Sequence, residues 1–184
     1  MLRPRLRIAL PLLMLATLLV ASSGARADDP PRDAALSVTQ ANGVMREVIG
    51  SGLPVGAPGQ ELVLLRFTFE PGSVIPPHIH PGMQTAYVLS GTLGYTVLCG
   101  HALVTTPAAD GSAPATEPAN PGPEFLLPPG ASFTEVEGLV HTGRNAGPGP
   151  LVLLVSSLLG NDQSASIPVD PQTAPQCAPA HAHT

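Results

Sequence analysis

The stretch HIHPGMQ, from His78 to Gln84, sets two imidazoles one residue apart ahead of a Pro-Gly turn, and a third, His141, follows in EGLVHTGRN. On an extended strand, residues i and i+2 point to one face, so His78 and His80 can share a cation. Neutral imidazole is a general ligand for zinc, iron, nickel, copper and manganese, and three of them can hold one ion. An isolated His-x-His pair also arises on surface strands with no metal. Gln84 has the same parity as the two histidines, although the turn at Pro81-Gly82 breaks the strand between them. Its amide oxygen could ligate, but it lacks the negative charge of a carboxylate.

The spacing around these residues is more specific. Gly72-x5-His78-x-His80-x3-Gln84-x6-Gly91 resembles the first conserved motif of the cupin superfamily, G-x5-H-x-H-x3,4-E-x6-G, at every position except the acid. Gly130-x5-Val136-x-Gly138-x2-His141-x3-Asn145 resembles the second, G-x5-P-x-G-x2-H-x3-N, with Val136 in place of proline. The resemblance runs from Glu61 to Leu159 and implies an all-β fold, a double-stranded β-helix or jelly-roll barrel, with one divalent transition metal (Fe, Mn, Ni, Zn or Cu) inside. It implies His78, His80 and His141 as metal ligands, with Gln84 standing where the family's glutamate stands, as a weak fourth ligand or an interior hydrogen-bond donor. It also implies turn glycines at Gly72, Gly91, Gly130 and Gly138, and an Asn145 that supports a strand end.

Three imidazoles and an amide leave a divalent charge uncompensated, so such a site should bind metal more weakly yet act as a stronger Lewis acid. Gln84→Glu is expected to tighten binding, and Gln84 itself cannot take up a proton. Two functions stay open. The resemblance implies a metal-dependent enzyme acting on a small oxygen-rich molecule, with dioxygenases of polyphenols and diketones the nearest class by site type; no residue is singled out as catalytic. The alternative is a non-catalytic module that binds a small molecule or metal. Glu135 and Glu137 lie close to His141 and would share a face of a strand, but sequence does not say which face. His101, His181 and His183 fall outside both motifs and read as solvated or structural.

The elements that must position these residues follow from punctuation and periodicity. Twenty-three prolines and nineteen glycines in 184 residues leave almost no room for a long helix, and only a helical turn near Asp33 to Leu36 is expected. Between them lie β-rich runs: GVMREVI, ELVLLRFTFEPG, QTAYVLSGTLGYTVLCG, EFLLPPG, ASFTEVEG and PLVLLVSSLL. Short strands at regular spacing predict a sandwich or barrel. Val63, Leu65, Phe67 and Phe69 alternate with Leu64, Arg66, Thr68 and Glu70, the pattern of a strand with one buried face. Ser90-Gly91-Thr92 reads as a hairpin turn joining two strands. The run from Thr105 to Pro123 reads as an exposed loop, and residues 160–184 as an irregular tail.

At the N-terminus, Arg3, Arg5 and Arg7 precede an apolar run from Ile8 to Ala21 and the triplet Ala25-Arg26-Ala27. This is the layout of a signal peptide over residues 1–27, since about 14 apolar residues fall short of the roughly 20 that span a bilayer. A short segment, 28–41, then leads into one barrel domain, 42–159. Removing residues 1–27 takes four of the eight arginines and none of the thirteen acids, leaving a formal charge of −9 and no lysine. An acidic surface without basic clusters argues against nucleic acid and, after signal cleavage, against membrane as partners. A small-molecule ligand and a possible homodimer are the partners expected. A periplasmic or secreted location would allow Cys99 and Cys177 to pair; two unpaired thiols are the alternative. PLVLLVSSLL could serve a dimer edge or be a buried central strand.

Overall fold

In the computed structural model, residues 38–161 and 163–177 are described; the expected signal peptide, the helical turn near residues 33–36, His181 and His183 lie outside them. The apolar runs bounded by Pro and Gly become the strands β1 (Val38–Ala41), β2 (Val44–Gly52), β3 (Gln60–Phe69), β4 (Val74–Ile79), β5 (Met83–Ser90), β6 (Leu93–Cys99) and β7 (Ala102–Thr106). They continue as β8 (Ala115–Ala119), β9 (Phe125–Leu127), β10 (Ser132–Glu135), β11 (Val140–Asn145), β12 (Leu151–Gly160) and β13 (Ile167–Pro168). The only helical element among the described residues is a 3-10 turn at Pro175–Cys177. All strand pairs are antiparallel, in an eight-stranded sheet ordered β1-β2-β3-β12-β5-β10-β7-β8 and a five-stranded sheet ordered β13-β4-β11-β6-β9. This all-β, two-sheet arrangement is consistent with a jelly roll.

The core lies on the inner faces of the two sheets. In β3, Val63, Leu65 and Phe69 are buried while Leu62, Leu64 and Arg66 point outward. Register with β12 sets Leu65 opposite Val155 and Phe69 opposite Leu151, so the inward positions of neighbouring strands meet. β12 is hydrogen-bonded to β3 on one side and β5 on the other, so PLVLLVSSLL is a central strand and offers no free edge to a second copy.

Two sequence-based expectations are corrected. Ser90-Gly91-Thr92 does not close a hairpin: β5 pairs with β12 and β10, whereas β6 pairs with β11 and β9 in the other sheet. Alternating apolar residues report that each strand has a buried face, not which strand supplies its hydrogen bonds. Gly91 carries the chain between sheets with φ 81°, and a Cβ there would come within 2.7 Å of Leu151 Cα. The run from Thr105 to Pro123 is not all loop, because Ala115–Ala119 forms β8 on the edge of the larger sheet, paired with β7. An edge strand with an exposed face carries no apolar alternation and tolerates Pro118, so it is invisible to periodicity.

The segment after β12 is tied down at three points. β13 pairs with β4, the Val169 amide donates to the Pro77 carbonyl at 3.1 Å, and Cys177 is disulfide-bonded to Cys99 at the end of β6. The bridge closes a loop with a sequence separation of 78 residues; on the chain-entropy account, this constrains the unfolded state by about 4 kcal/mol. Full reduction, or Cys177→Ser, should therefore lower the melting temperature by about 10 °C in scanning calorimetry. Alkylation of the denatured, unreduced chain should modify no thiol.

Candidate metal centre

β4 and β11 lie side by side, with His78 and His141 in register. His80 follows β4 directly, and its carbonyl accepts from the Gly138 amide at 3.1 Å, which ties the turn before β11 to the end of β4. The Pro81-Gly82 turn then returns the chain to β5, with Gly82 pressed against the Leu158 carbonyl so closely that no Cβ would fit. The result is one tight cluster. His78, His80 and His141 are 6%, 7% and 4% exposed, and their ring centroids lie 4.8, 4.2 and 5.1 Å apart. One nitrogen from each lies within 4.8 Å of the others. The expected turn glycines Gly72, Gly91, Gly130 and Gly138 all have positive φ. Asn145 stays clear of the cluster: its Nδ2 donates to the carbonyls of Phe69 and Gly149, and its Oδ1 accepts from the Gly147 amide.

Backbone carbonyls fix the tautomer of each ring. Nδ1 faces the Pro76 carbonyl in His78 (2.9 Å), the Ala165 carbonyl in His80 (2.5 Å) and the Leu139 carbonyl in His141 (3.3 Å). A carbonyl can only accept, so each Nδ1 carries a proton, and Nε2 is the nitrogen turned toward the cluster and toward any metal held there. Burial, then the neighbouring His141 and His80, push the His78 imidazole down to about 3. Burial pushes His80 down as well. Three oriented imidazoles converging in an enclosed site are the donor set of a divalent transition metal, so the residues present fit that group.

Glu135, at the end of β10, is wholly buried in the same cluster. It lies opposite Gln84 in the register of β10 and β5. Its Oε2 accepts from the Gln84 amide at 2.5 Å and its Oε1 from the Tyr95 hydroxyl at 2.8 Å. Oε1 lies 3.0 Å from His141 Nε2, and Oε2 lies 3.4 Å from His80 Nε2. Burial alone would push this carboxyl up; the pull of His141, then of His80 and the Gln84 amide, outweighs it and holds the group down at about 2. Burial, then Glu135, pushes the Tyr95 phenol up, so it stays a neutral donor. Gln84 donates from Nε2 to Glu135 and toward His80 Nε2 at 2.8 Å, while its Oε1 accepts from Ser157 at 2.9 Å. Gln84 thus makes interior hydrogen bonds at three points. Glu135 and Glu137 do not share a face, because β10 ends at Glu135 and Glu137 is exposed in the following turn. His101 is exposed and apart from the cluster.

The cluster opens onto a cavity of about 110 Å³ walled by apolar side chains such as Leu65, Phe69, Phe133 and Val155. Arg46 also lines it. Paired with Phe67 in register, it sits between Val44 and Val48 on the inner face of β2. Arg66 pairs with Glu47 and Arg144 with Glu124, but Arg46 has no carboxylate partner among the described residues and its buried Nε makes no hydrogen bond. Its place in MRE, flanked by a polar neighbour, gave no sign of this inward direction.

The cupin domain family model matches residues 65–121, which take in His78, His80 and Gln84, and supports the cupin superfamily. The chain is similar to the structure of KdgF from a Halomonas species, at 19% identity over 66% of this chain and 84% of that one, with a TM-score of 0.44. It is similar to an uncharacterized conserved protein with a double-stranded beta-helix domain from Klebsiella pneumoniae, at 23% identity over 69% and 86%, with a TM-score of 0.44. Similarity to oxalate decarboxylase from Lactobacillus farciminis is 16% over 73% of this chain but only 33% of that one, with a TM-score of 0.45. Comparison with curated proteins gives no match.

Alanine at His78, His80 or His141 should each abolish most metal uptake, read as metal per chain by plasma mass spectrometry, while circular dichroism keeps its β signature. Tyr95→Phe should cost about 1–3 kcal/mol in chemical denaturation, because it strips a hydrogen bond from a buried carboxylate.

Proposed function

We propose that this chain is an exported cupin enzyme that uses one divalent transition metal to act on a small, oxygen-rich, anionic molecule, with dioxygenase-like chemistry. The observation that carries the reading is the convergence of three tautomer-locked histidines at one end of a small apolar cavity. When bound, the metal would supply Lewis acidity and, if redox-active, oxidation chemistry. The chain's own residues do the rest. The apolar wall excludes water, which strengthens every polar contact inside. Glu135 holds a fixed negative charge against the histidines. Arg46, a cation with no carboxylate partner among the described residues and an unbonded buried Nε, suits a substrate carboxylate or similar anion. The dioxygenase class rests on the resemblance of the two motifs, and the small apolar cavity suits a small substrate. The alternative, a barrel that binds such an anion without turnover, would use the same pocket.

Oxygen uptake by the iron-, manganese- and nickel-loaded protein against small hydroxy-, keto- and diketo-carboxylates tests the enzyme reading. Turnover of one of them is expected, and ligand-induced thermal stabilisation without turnover on the whole panel would leave the binding barrel instead. Arg46→Met should weaken binding of the responding anion by roughly tenfold or more, measured by calorimetry on the metal-loaded protein.

Export is supported by the layout of residues 1–27 and by the Cys99–Cys177 bridge, which suits an oxidising compartment. Mass spectrometry of protein recovered outside the cytoplasm should find an N-terminus at or near Asp28; an intact Met1 on that material would refute it.

A further inference from the structure

We infer that Glu135 is a metal ligand, supplying from β10 the carboxylate that the first motif lacks at Gln84. The inference rests on the metal-binding reading above. Gln84 and Glu135 are direct cross-strand neighbours, so an acid on either strand points into the same space between the histidines. Two donor atoms at about 2.1 Å from one ion stand about 3.0 Å apart at right angles and about 3.4 Å apart in a tetrahedron. Glu135 Oε1 is 3.0 Å from His141 Nε2, and Oε2 is 3.4 Å from His80 Nε2.

With each Nδ1 facing a backbone carbonyl, the Nε2 atoms of His80 and His141 and the two carboxylate oxygens converge on one small space. Tyr95 and Gln84 donate one hydrogen bond each, to Oε1 and Oε2 respectively, orienting the carboxylate while leaving each oxygen a further lone pair. The Gln84 amide is thereby assigned as the donor that aims the ligand. Gln84→Glu on its own would set two carboxylates side by side, so on this inference it would not tighten binding.

The test uses the full mature chain with Mn(II) and Zn(II), reading affinity by competition calorimetry and stoichiometry by plasma mass spectrometry, with thermal melts of the metal-free variants as the fold control. Glu135→Gln should lose at least tenfold in affinity, and the exchange variant Gln84→Glu/Glu135→Gln should regain most of it, because the charge returns to the same space. Glu135→Gln that binds within threefold of wild type overturns the inference. If Glu135→Gln does not fold, or the exchange variant recovers nothing, infrared difference spectra of the wild-type chain on adding Zn(II) decide. A shifted carboxylate stretch that persists when exposed acids are saturated with Ca(II) supports ligation, and its absence overturns it. Wild-type protein that takes up neither metal fails the metal reading itself, whereas metal uptake indifferent to Glu135 fails only this inference.

Discussion

An ionised carboxylate with no exposed surface, Glu135, sits at the centre of a barrel whose walls are otherwise apolar. Taking such a group out of water costs several kcal/mol unless hydrogen bonds and opposite charge replace the lost hydration. Tyr95 and Gln84 supply the hydrogen bonds, and the imidazoles of His80 and His141 face the same two oxygens. Ser157 in turn holds the Gln84 amide so that its nitrogen faces the acid. Each of these partners comes from a different strand: β6, β5, β11, β12 and the end of β4. The inner polar network and the meeting of the two sheets are thus one arrangement, and neither can shift far without stranding a buried charge.

Orientation of the imidazoles is a separate requirement, met by backbone rather than by side chains. His78 is held by the carbonyl two residues before it and His141 likewise, so those two rings are set by local strand geometry. His80 is different, because its partner is the Ala165 carbonyl, 85 residues away in the segment after β12. That segment stays in place through β13 and through the disulfide at Cys177. The carbonyl that aims His80 and the cysteine of the bridge thus lie on one short stretch of chain.

The cavity beyond the cluster adds a second charge of opposite sign. Arg46 occupies an inward position on β2 between two apolar residues, a placement that costs desolvation and that burial registers by pushing its pKa down. A guanidinium keeps its charge even so. With Glu135 near the histidines and Arg46 lining the same cavity, the interior is polarised by two charges set in an apolar wall.

The histidine triad, the four turn glycines, the role of Asn145 and the alternating faces of β3 were legible in the sequence because each depends on local spacing: two residues for a strand face, one φ for a turn. What periodicity could not supply was pairing. The chain's change of sheet at Gly91 and the edge strand β8 escaped it, since strand neighbours are chosen by contacts far apart in sequence. The same limit hid Glu135. It stands 51 residues from Gln84, and its only signal was an acid at an inward-parity position beside Phe133 in SFTEVEG, readable once the face of β10 is known. Arg46 and Ala165 were hidden for the same reason. Sequence thus determined which residues could bind a metal, and the tertiary structure alone decided that a buried carboxylate from β10 stands beside them, because interactions in a buried site are set by distance in space and not along the chain.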